Sequence, residues 1–231
     1  MNIIVNGGTR GIGKETALFL AKKKENTVLV TGRNKDGLNK LNLIRVQGRI
    51  ITCQVDISEF NEQEAAFTAA VSSGLGSVDV LINSAGLLIS KSFNNFTSEE
   101  VRKMMETNFF GPASVIRALL PFMKKGSHIV NITSMGGFQG SSKYSGMSYY
   151  SASKAALSCL SECLAEELRD NGIIINCLAL GSVQTEMLEE AFPGYKAPVS
   201  AREMAEFIGD FALKGSKFFN GKIIPVAFSN P

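Results

Sequence analysis

Short apolar runs alternate with amphipathic stretches along almost the whole chain. Between the runs, apolar residues recur every three or four positions, which is the spacing of one face of an α-helix. Seven runs predict β-strands, at residues 3–5, 27–31, 49–55, 78–82, 127–133, 172–178 and 222–226. Because strands and helices alternate, we expect an α/β fold with a doubly wound, mostly parallel seven-stranded sheet and helices on both faces.

One long helix is predicted for residues 97–124, where Thr97 and Glu100 have the spacing of a capping box. Asn108 interrupts an otherwise apolar face of this helix, and a Gly-Pro pair at residues 111–112 should kink it. The pattern indicates a helix that is disturbed for a reason. An exposed Asn on a mobile turn is the alternative.

Size and charge exclude several classes of protein. The 231 residues, 45% of them hydrophobic, fit a single domain with a substantial core. The net charge is only +3 and the basic residues are scattered, so we expect no nucleic-acid or membrane partner. The start of the chain shows no signal-peptide pattern, and no run of about 20 apolar residues occurs, so we expect a cytoplasmic protein.

The cysteines and the single histidine do not indicate a metal site. Cys53, Cys159, Cys163 and Cys177 lie within predicted strands or a helix, where we expect small buried side chains in a reducing compartment. Cys159 and Cys163 have helical spacing, but no second Cys or His pair completes a site, so we expect no metal. His128 begins the fifth strand, far from its carboxyl end, and is predicted to be structural.

A glycine-rich turn joins the first strand to the first helix. Gly7 permits a tight turn, Gly11 lets the backbone approach a pyrophosphate, and Gly13 allows the helix to pack closely on the strand. The N-terminus of the helix presents unpaired N–H groups to anionic oxygens. A glycine loop without a ligand is the alternative, but the flanking strands and helix favour dinucleotide binding.

The end of the second strand bears on the choice of dinucleotide. NAD-selective sites of this kind place an acidic side chain there, and an arginine instead accommodates a 2′-phosphate. Residues 31–33 contain no acid. Arg10 and Arg33 are therefore candidates for a paired clamp on the 2′-phosphate, which favours NADP(H), although two solvated surface arginines are the alternative.

Polar and small residues follow the third and fourth strands. Asp56 can accept a hydrogen bond from an adenine amino group or help to cap the next helix, for which Ser58 is the predicted N-cap. The fourth strand delivers its last residues to the edge where ligands bind in open α/β sheets. These residues, which leave room for a cofactor or serve a close turn, are Asn83, Ser84, Ala85 and Gly86.

Tyr150 and Lys154 lie four residues apart at the start of a predicted helix, so they should be neighbours on one face. An ammonium group beside a phenol favours the phenolate and lowers the pKa of the phenol. Tyr150 would then be usable as a proton donor near neutral pH, as an acid for reducing a carbonyl. Ser134 follows the fifth strand, upstream of this pair.

Together these residues resemble the short-chain dehydrogenase/reductase family over nearly the whole chain, and specifically its NADP-preferring, 3-oxoacyl-ACP-reductase-like members. The resemblance implies a Rossmann-type fold. The matching positions are Gly7, Gly11, Gly13, Asp56, Asn83, Ser84, Ala85, Gly86, Asn108, Ser134, Tyr150, Lys154, Gly181 and Thr185.

The resemblance also implies roles for these residues. Tyr150 would be the general acid/base, Lys154 would lower its pKa and bind the nicotinamide ribose, and Ser134 would orient the substrate carbonyl. Asn108 would hold a water in a proton relay. The cofactor would be bound by Gly7, Thr9, Arg10, Gly11, Ile12, Gly13, Arg33, Asp56, Ile57, Asn83, Ala85, Gly86, Tyr150, Lys154, Gly181, Val183 and Thr185.

The sequence departs from the family pattern at several positions. Asn6 replaces the usual Thr before the first glycine, and we expect this to be tolerated because both side chains can form local hydrogen bonds. Ser84 stands where a second Asn is usual, and Leu180 stands where Pro is usual. The glycine-rich connection from Ser134 to Tyr150 suggests a flexible wall, and residues 185–199 are predicted to form a substrate lid.

These observations favour an NADPH-dependent carbonyl reductase, with 3-oxoacyl thioesters as candidate substrates and the reverse oxidation open. A non-catalytic NADP(H)-binding regulatory protein is the alternative from another class, and an isomerase or epimerase is a third. By the resemblance we expect a homodimer or homotetramer assembled through the helices that carry Asn108 and Tyr150. Residues 228–231 are a candidate subunit contact.

Overall fold

The structure, a computed structural model, describes residues 1–228. Within them the strands are β1 (Asn2–Asn6), β2 (Thr27–Gly32), β3 (Arg49–Gln54), β4 (Val78–Asn83), β5 (Met123–Ser134), β6 (Ile174–Leu180), β7 (Val183–Gln184), β8 (Val199–Ser200) and β9 (Lys222–Val226). Seven of these strands form one parallel sheet in the order β3-β2-β1-β4-β5-β6-β9. This confirms the predicted parallel sheet. β9, which contains Pro225, lies at an edge of the sheet, where a proline removes no hydrogen bond from the interior of the sheet.

Helices cover both faces of the sheet. They are α1 (Gly11–Leu20), α2 (Lys35–Asn42), α3 (Phe60–Gly74), α4 (Ser98–Met105), α5 (Gly111–Leu119), α6 (Ser148–Glu167), α7 (Glu186–Ala191) and α8 (Ala201–Lys214). Successive residues of a strand point to opposite faces. Ile3 accordingly joins a buried cluster with Ile208 of α8, whereas Ile4 joins a second cluster with Phe67 of α3.

The strand order reverses direction between β1 and β4, because the chain crosses the sheet after β3. Ligands in open α/β sheets bind at this kind of switch point, outside the carboxyl ends of the strands. The residues that end β1 and β4 are Asn6 and Asn83, which are direct neighbours in the sheet. The fold therefore brings the glycine turn next to residues 83–86.

The region predicted as one helix over residues 97–124 is divided. The capping box of Thr97 and Glu100 is present and starts α4, but a π-helical turn, Glu106–Phe110, separates α4 from α5. The amide of Gly111 bonds to the carbonyl of Glu106, five residues back. A Cβ atom on Gly111 would lie 2.4 Å from the carbonyl oxygen of Ile57, so only glycine fits there. The disturbance is thus a π turn fixed by close packing.

Several other boundaries differ from the prediction. The helical segment ends in a short 3₁₀ turn, Leu120–Phe122, so β5 begins at Met123 rather than residue 127. Proline at position 121 explains the early end, because its ring cannot continue an α-helix. Asp56, not Ser58, caps the helical turn after β3, since its carboxylate accepts hydrogen bonds from the Ser58 amide and hydroxyl.

The cysteines are less buried than predicted. Cys177 is buried and Cys53 is half-buried, but Cys159 and Cys163 are exposed on α6, so their predicted burial is wrong. Their positions face outward because the buried face of α6 is carried by other residues of the helix. Within residues 1–228, no group of three or more His, Cys, Asp and Glu side chains is placed to hold a metal ion.

His128 is a buried structural residue. Its Nδ1 lies 2.9 Å from the Ala212 carbonyl oxygen, and its Nε2 lies 3.0 Å from the Asn176 amide. Burial lowers its pKa, while the contact with Ala212 acts in the opposite direction.

Among the helices that the structure describes, none is long and apolar enough to span a membrane. Of the predicted subunit contact at residues 228–231, only Phe228 is within the described part of the chain, and it is exposed. Residues 229–231 lie outside it.

Candidate active site

A cavity of about 710 Å³ opens at the carboxyl ends of β1, β4, β5 and β6. The glycine turn forms one side of it, and Ser134, Tyr150 and Lys154 form another. Every site residue predicted from the sequence lines this cavity except Asn83 and Asn108. Those two side chains are buried, and they adjoin the lining residues Ser84 and Gly86.

Tyr150 and Lys154 are held on one face of α6, as predicted. The ammonium nitrogen of Lys154 lies 6.0 Å from the centre of the Tyr150 ring. Only 4% of Lys154 is exposed, and its Nζ donates a hydrogen bond of 3.0 Å to the Ile132 carbonyl. Because Ile132 lies on β5, two residues before Ser134, this bond fixes Lys154 relative to the strand that carries the serine.

The protonation of the pair differs from the prediction. Burial raises the pKa of Tyr150 to about 12, and the Ser134 hydroxyl acts in the opposite direction. Burial also lowers the pKa of Lys154 to about 8, against a smaller effect of Cys177. The expectation that Lys154 lowers the pKa of Tyr150 is therefore wrong for this arrangement, because the removal of both groups from water dominates. At neutral pH the phenol is protonated.

Asn108 is positioned by the π turn and is completely buried. Its Oδ1 accepts a hydrogen bond from the Leu87 amide, and its Nδ2 donates to the Leu87 carbonyl and to the Ser153 hydroxyl. The Ser153 hydroxyl in turn donates to the Tyr150 carbonyl. The alternative of an exposed Asn on a mobile turn is wrong. Asn108 links the loop after β4 to the first turn of α6.

The glycines are required by close contacts at two positions of the turn. Gly7 has φ of 84°, and a Cβ on it would lie 2.5 Å from the Ala85 backbone. A Cβ on Gly13 would lie 2.3 Å from the Gly7 carbonyl oxygen. The turn, the start of α1 and the loop after β4 therefore pack directly on one another. Among these elements, α1 has no side-chain cap at its N-terminus.

Gly86 lies beside Lys154 and Asn108, with room for ordinary van der Waals contact. A Cβ at this position would lie 3.4 Å from Lys154 Nζ, 3.6 Å from Asn108 Oδ1 and 3.8 Å from Met187 Cε. Gly136 and Gly137, by contrast, are tightly placed, since Cβ atoms there would lie 2.7 Å from Ser151 Oγ and 2.6 Å from the Ala155 amide nitrogen. This part of the predicted flexible wall is thus packed against α6.

The two arginines proposed as a phosphate clamp both line the cavity but differ in their contacts. Arg33 is exposed at the end of β2. Arg10 forms an ion pair with Glu190 of α7, with 2.6 Å between Nη1 and Oε1. Asp56 also lines the cavity while it caps the turn after β3, so its two predicted roles are compatible.

The segment predicted as a lid, residues 185–199, follows β7 and ends in β8, and these two short strands pair in parallel, with Val183 opposite Val199. Between these strands, Thr185 caps α7 by accepting a hydrogen bond from the Leu188 amide. Gly181, next to the substituted Leu180, is held by a hydrogen bond of 2.9 Å from its amide to the Val226 carbonyl. This hydrogen bond fixes the start of the loop, although Leu180 stands where the family usually has a proline.

Sequence reasoning missed a row of buried polar side chains across the sheet. The Thr31 hydroxyl donates to Asn6, the Asn6 amide donates to Asn83, and the Asn83 amide donates to Asn131. The Asn131 amide then donates to the Ser161 hydroxyl of α6. The available signal was the recurrence of Asn near the carboxyl ends of β1, β4 and β5. This row ties the helix that carries Tyr150 to the strands below the cavity.

The fold and the cavity define a dinucleotide-binding α/β protein with a Ser-Tyr-Lys set at the carboxyl edge of its sheet. The model of the short chain dehydrogenase family matches residues 1–196, so the chain belongs to that family and is an oxidoreductase. Members of this family use NAD(P)(H), act on small molecules and are commonly oligomeric.

Individual relatives agree with this assignment. The chain is 30% identical to an uncharacterised oxidoreductase of Staphylococcus saprophyticus over 209 residues, 88% of this chain and 87% of the relative. It is 33% identical to a 3-ketodihydrosphingosine reductase of Bacteroides thetaiotaomicron over 185 residues, 79% of this chain and 64% of the relative. A short chain dehydrogenase from Burkholderia cenocepacia, solved in complex with NADP, shares the fold with a TM-score of 0.83 and 23% identity, covering 97% of this chain and 95% of that one.

Proposed function

We propose that the protein is an NADPH-dependent reductase that converts a carbonyl group to an alcohol. The observation that carries the proposal is that Ser134, Tyr150 and Lys154 line the same cavity as the glycine turn. The absence of an acid at the end of β2, together with Arg10 and Arg33 on the cavity wall, supports NADPH over NADH. The NADP complex of the Burkholderia cenocepacia protein is consistent with this preference.

The residues of the cavity fit a dinucleotide. Gly7, Gly11 and Gly13 carry no side chains that would cover the turn, and the uncapped N-terminus of α1 offers N–H groups to a pyrophosphate. In this proposal Asp56 accepts a hydrogen bond from the adenine, and Lys154 holds the nicotinamide ribose. The bound nicotinamide supplies the hydride.

Tyr150 donates the proton in this proposal. Its raised pKa keeps the phenol protonated at neutral pH, and an alkoxide is a stronger base than a phenolate, so proton transfer to the reduced carbonyl oxygen is favourable. Ser134 orients the carbonyl and stabilises the negative charge that develops on its oxygen. Asn108 acts as a positioning residue, because its amide is bonded to Leu87 and Ser153.

The chemistry of the cavity wall points to an uncharged substrate with an apolar portion. The charged lining residues belong to the cofactor side, to Lys154 or to Glu186 at the lid. The apolar and aromatic lining residues include Leu87, Leu88, Met135, Met147, Met187, Leu188, Phe192 and Tyr195. A 3-oxoacyl thioester fits this description, and the Bacteroides relative is named for the reduction of a 3-keto compound. Residues 185–199 then act as the lid over this substrate.

The proposal is tested by following NADPH absorbance with a panel of aliphatic ketones, quinones, N-acetylcysteamine 3-oxoacyl thioesters and, as charged controls, 2-oxo acids. We expect turnover of an uncharged carbonyl and none of the 2-oxo acids. NADPH binding without turnover of any carbonyl would instead support the non-catalytic regulatory alternative. Sedimentation of the same preparation tests the proposed homodimer or homotetramer, which a monomer would contradict.

A further inference from the structure

Arg10 is held from outside the cavity by a residue of the lid. It stands at the N-cap of α1, inside the glycine turn, and lines the cavity. Its Nη1 lies 2.6 Å from Glu190 Oε1, and its Nη2 lies 3.4 Å from Glu190 Oε2. Both terminal nitrogens of the guanidinium group therefore face one carboxylate. This is the fork that a guanidinium group would also offer to a phosphate.

The lid adds further negative charge at the same place. Oε2 of Glu186 lies 3.4 Å from the position that a Cβ on Gly11 would occupy, next to the N-terminus of α1. Glu189, on the same helix, does not contact an arginine in the described part of the chain and accepts a hydrogen bond of 3.0 Å from Gln184. Of the α7 carboxylates, Glu190 is the one engaged with a cofactor-side cation.

We propose that Glu190 is a cofactor-specificity residue, whose ion pair with Arg10 must be displaced by the 2′-phosphate of NADPH. The inference rests on the proposed use of NADPH. NADPH differs from NADH by that one phosphate, so the competition weakens NADPH binding selectively. The same exchange frees Glu190 from the turn, so that NADPH binding releases one attachment of the lid and NADH binding does not.

The size of the effect follows from the exposure of the pair. The side chains are 46% and 63% exposed, and exposed ion pairs contribute at most about 1 kcal/mol, which is roughly fivefold in an equilibrium constant. We therefore expect that removal of the Glu190 charge tightens NADPH binding by about three- to fivefold. The affinity for NADH should change by less than about twofold.

The experiment measures dissociation constants by nicotinamide fluorescence for the full chain and for Glu190→Gln. Glutamine keeps an acceptor oxygen for Arg10 and removes only the charge. Adenosine 2′,5′-bisphosphate and 5′-AMP, measured by calorimetry, separate the 2′-phosphate from the nicotinamide half. We expect Glu190→Gln to lower the dissociation constant of the bisphosphate as it does that of NADPH. The dissociation constant of 5′-AMP should stay nearly unchanged, like that of NADH.

Two variants serve as controls. Glu189→Gln makes the same charge change on the same helix without an arginine partner, and it should affect both cofactors slightly and equally. In an Arg10→Ala background, Glu190→Gln should have no selective effect, which completes a double-mutant cycle.

Weaker or unchanged NADPH binding in Glu190→Gln would overturn the inference, because Glu190 would then orient Arg10 or do nothing. An equal gain with Glu189→Gln would also overturn it. Failure of the wild-type chain to bind NADPH at all would instead refute the proposed function, so the two outcomes are distinguishable.

Discussion

The face formed by β5 and α6 and the edge formed by the glycine turn and α7 border the same cavity but are built differently. On the first, Lys154 is bonded to the Ile132 carbonyl and Asn108 to the Ser153 hydroxyl at buried positions. Asn108 also bonds to Leu87, which is half-buried. On the second, an exposed arginine and an exposed ion pair with the lid carry the charge. The face proposed for proton transfer is thus fixed by buried hydrogen bonds, and the edge proposed for cofactor choice is held by weak surface contacts.

This difference predicts that substitutions on the two sides act on different quantities. Changes on the β5–α6 face should alter the chemical step or the stability of the fold. The reason is that water cannot reach a buried polar group to replace a hydrogen bond that it has lost. Changes on the α1–α7 edge should alter cofactor affinity by modest factors, because solvent screens exposed charges.

The largest expected effect is that of Tyr150→Phe. The ring still packs, but the hydroxyl that we propose as the proton donor is lost, so kcat should fall by roughly 10²- to 10⁴-fold. NADPH affinity, measured by fluorescence titration, should stay within a factor of two to three. An unchanged rate of carbonyl reduction would refute the assignment of Tyr150.

Asn108→Ala should mainly destabilise the protein. It leaves the half-buried Leu87 amide and carbonyl and the buried Ser153 hydroxyl without their Asn108 partner, so the free energy of unfolding should fall by roughly 1–3 kcal/mol. Urea denaturation measures the change. Thr107→Ala is the matched control, because its hydroxyl bonds only to the Lys103 carbonyl of the same helical segment. A loss below about 1 kcal/mol for Asn108→Ala would contradict the inference that Asn108 stabilises the fold by linking the loop after β4 to α6.

On the opposite edge, Arg33→Ala should weaken NADPH binding by about tenfold through loss of one charge-assisted contact, and NADH binding much less. Arg49→Ala removes the same charge from the amino end of β3 and should change neither affinity. Equal losses for both cofactors in Arg33→Ala would rule out the clamp on the 2′-phosphate.

Near neutral pH, the effect of pH on reduction is the smallest of these. The pKa of Lys154 is lowered to about 8, so its ammonium is charged below this pH and neutral above it. The rate should therefore be halved near pH 8 and fall by about tenfold per further pH unit. Lys154→Arg stays charged, so its rate should not fall above pH 8. Its overall rate should be lower than that of the wild type. A profile of the wild type that stays flat to about pH 10 would show that the charge of Lys154 is not needed.

The sequence predicted the fold and most of the cavity because these depend on local patterns. Each of these patterns involves residues that are close in sequence. They are the alternating runs, the spacing of the glycines and the interval from Tyr150 to Lys154. The prediction that Asn6 bonds locally is wrong, because its partners Thr31 and Asn83 lie 25 and 77 positions away. The Arg10–Glu190 pair joins residues 180 positions apart and has no local signal at all.

The pKa of Tyr150 was missed for a related reason. Spacing on a helix shows which charges are near, but the desolvation of both groups depends on everything packed around them. Likewise the π turn depends on the fit of Gly111 against Ile57, which is distant in sequence.

The π turn makes the alignment of two helices depend on a single residue. Each residue of an α-helix turns the chain by about 100°, so one extra residue in Glu106–Phe110 rotates α4 by that amount relative to α5. Deleting one residue of this turn other than Asn108 would restore a regular helix and rotate α4 relative to α5, which would disturb the contact of Asn108 with Leu87. We therefore expect insertions and deletions here to be far more damaging than substitutions. The number of residues in this segment sets the rotation of α4 relative to α5 and so the shape of the cavity wall.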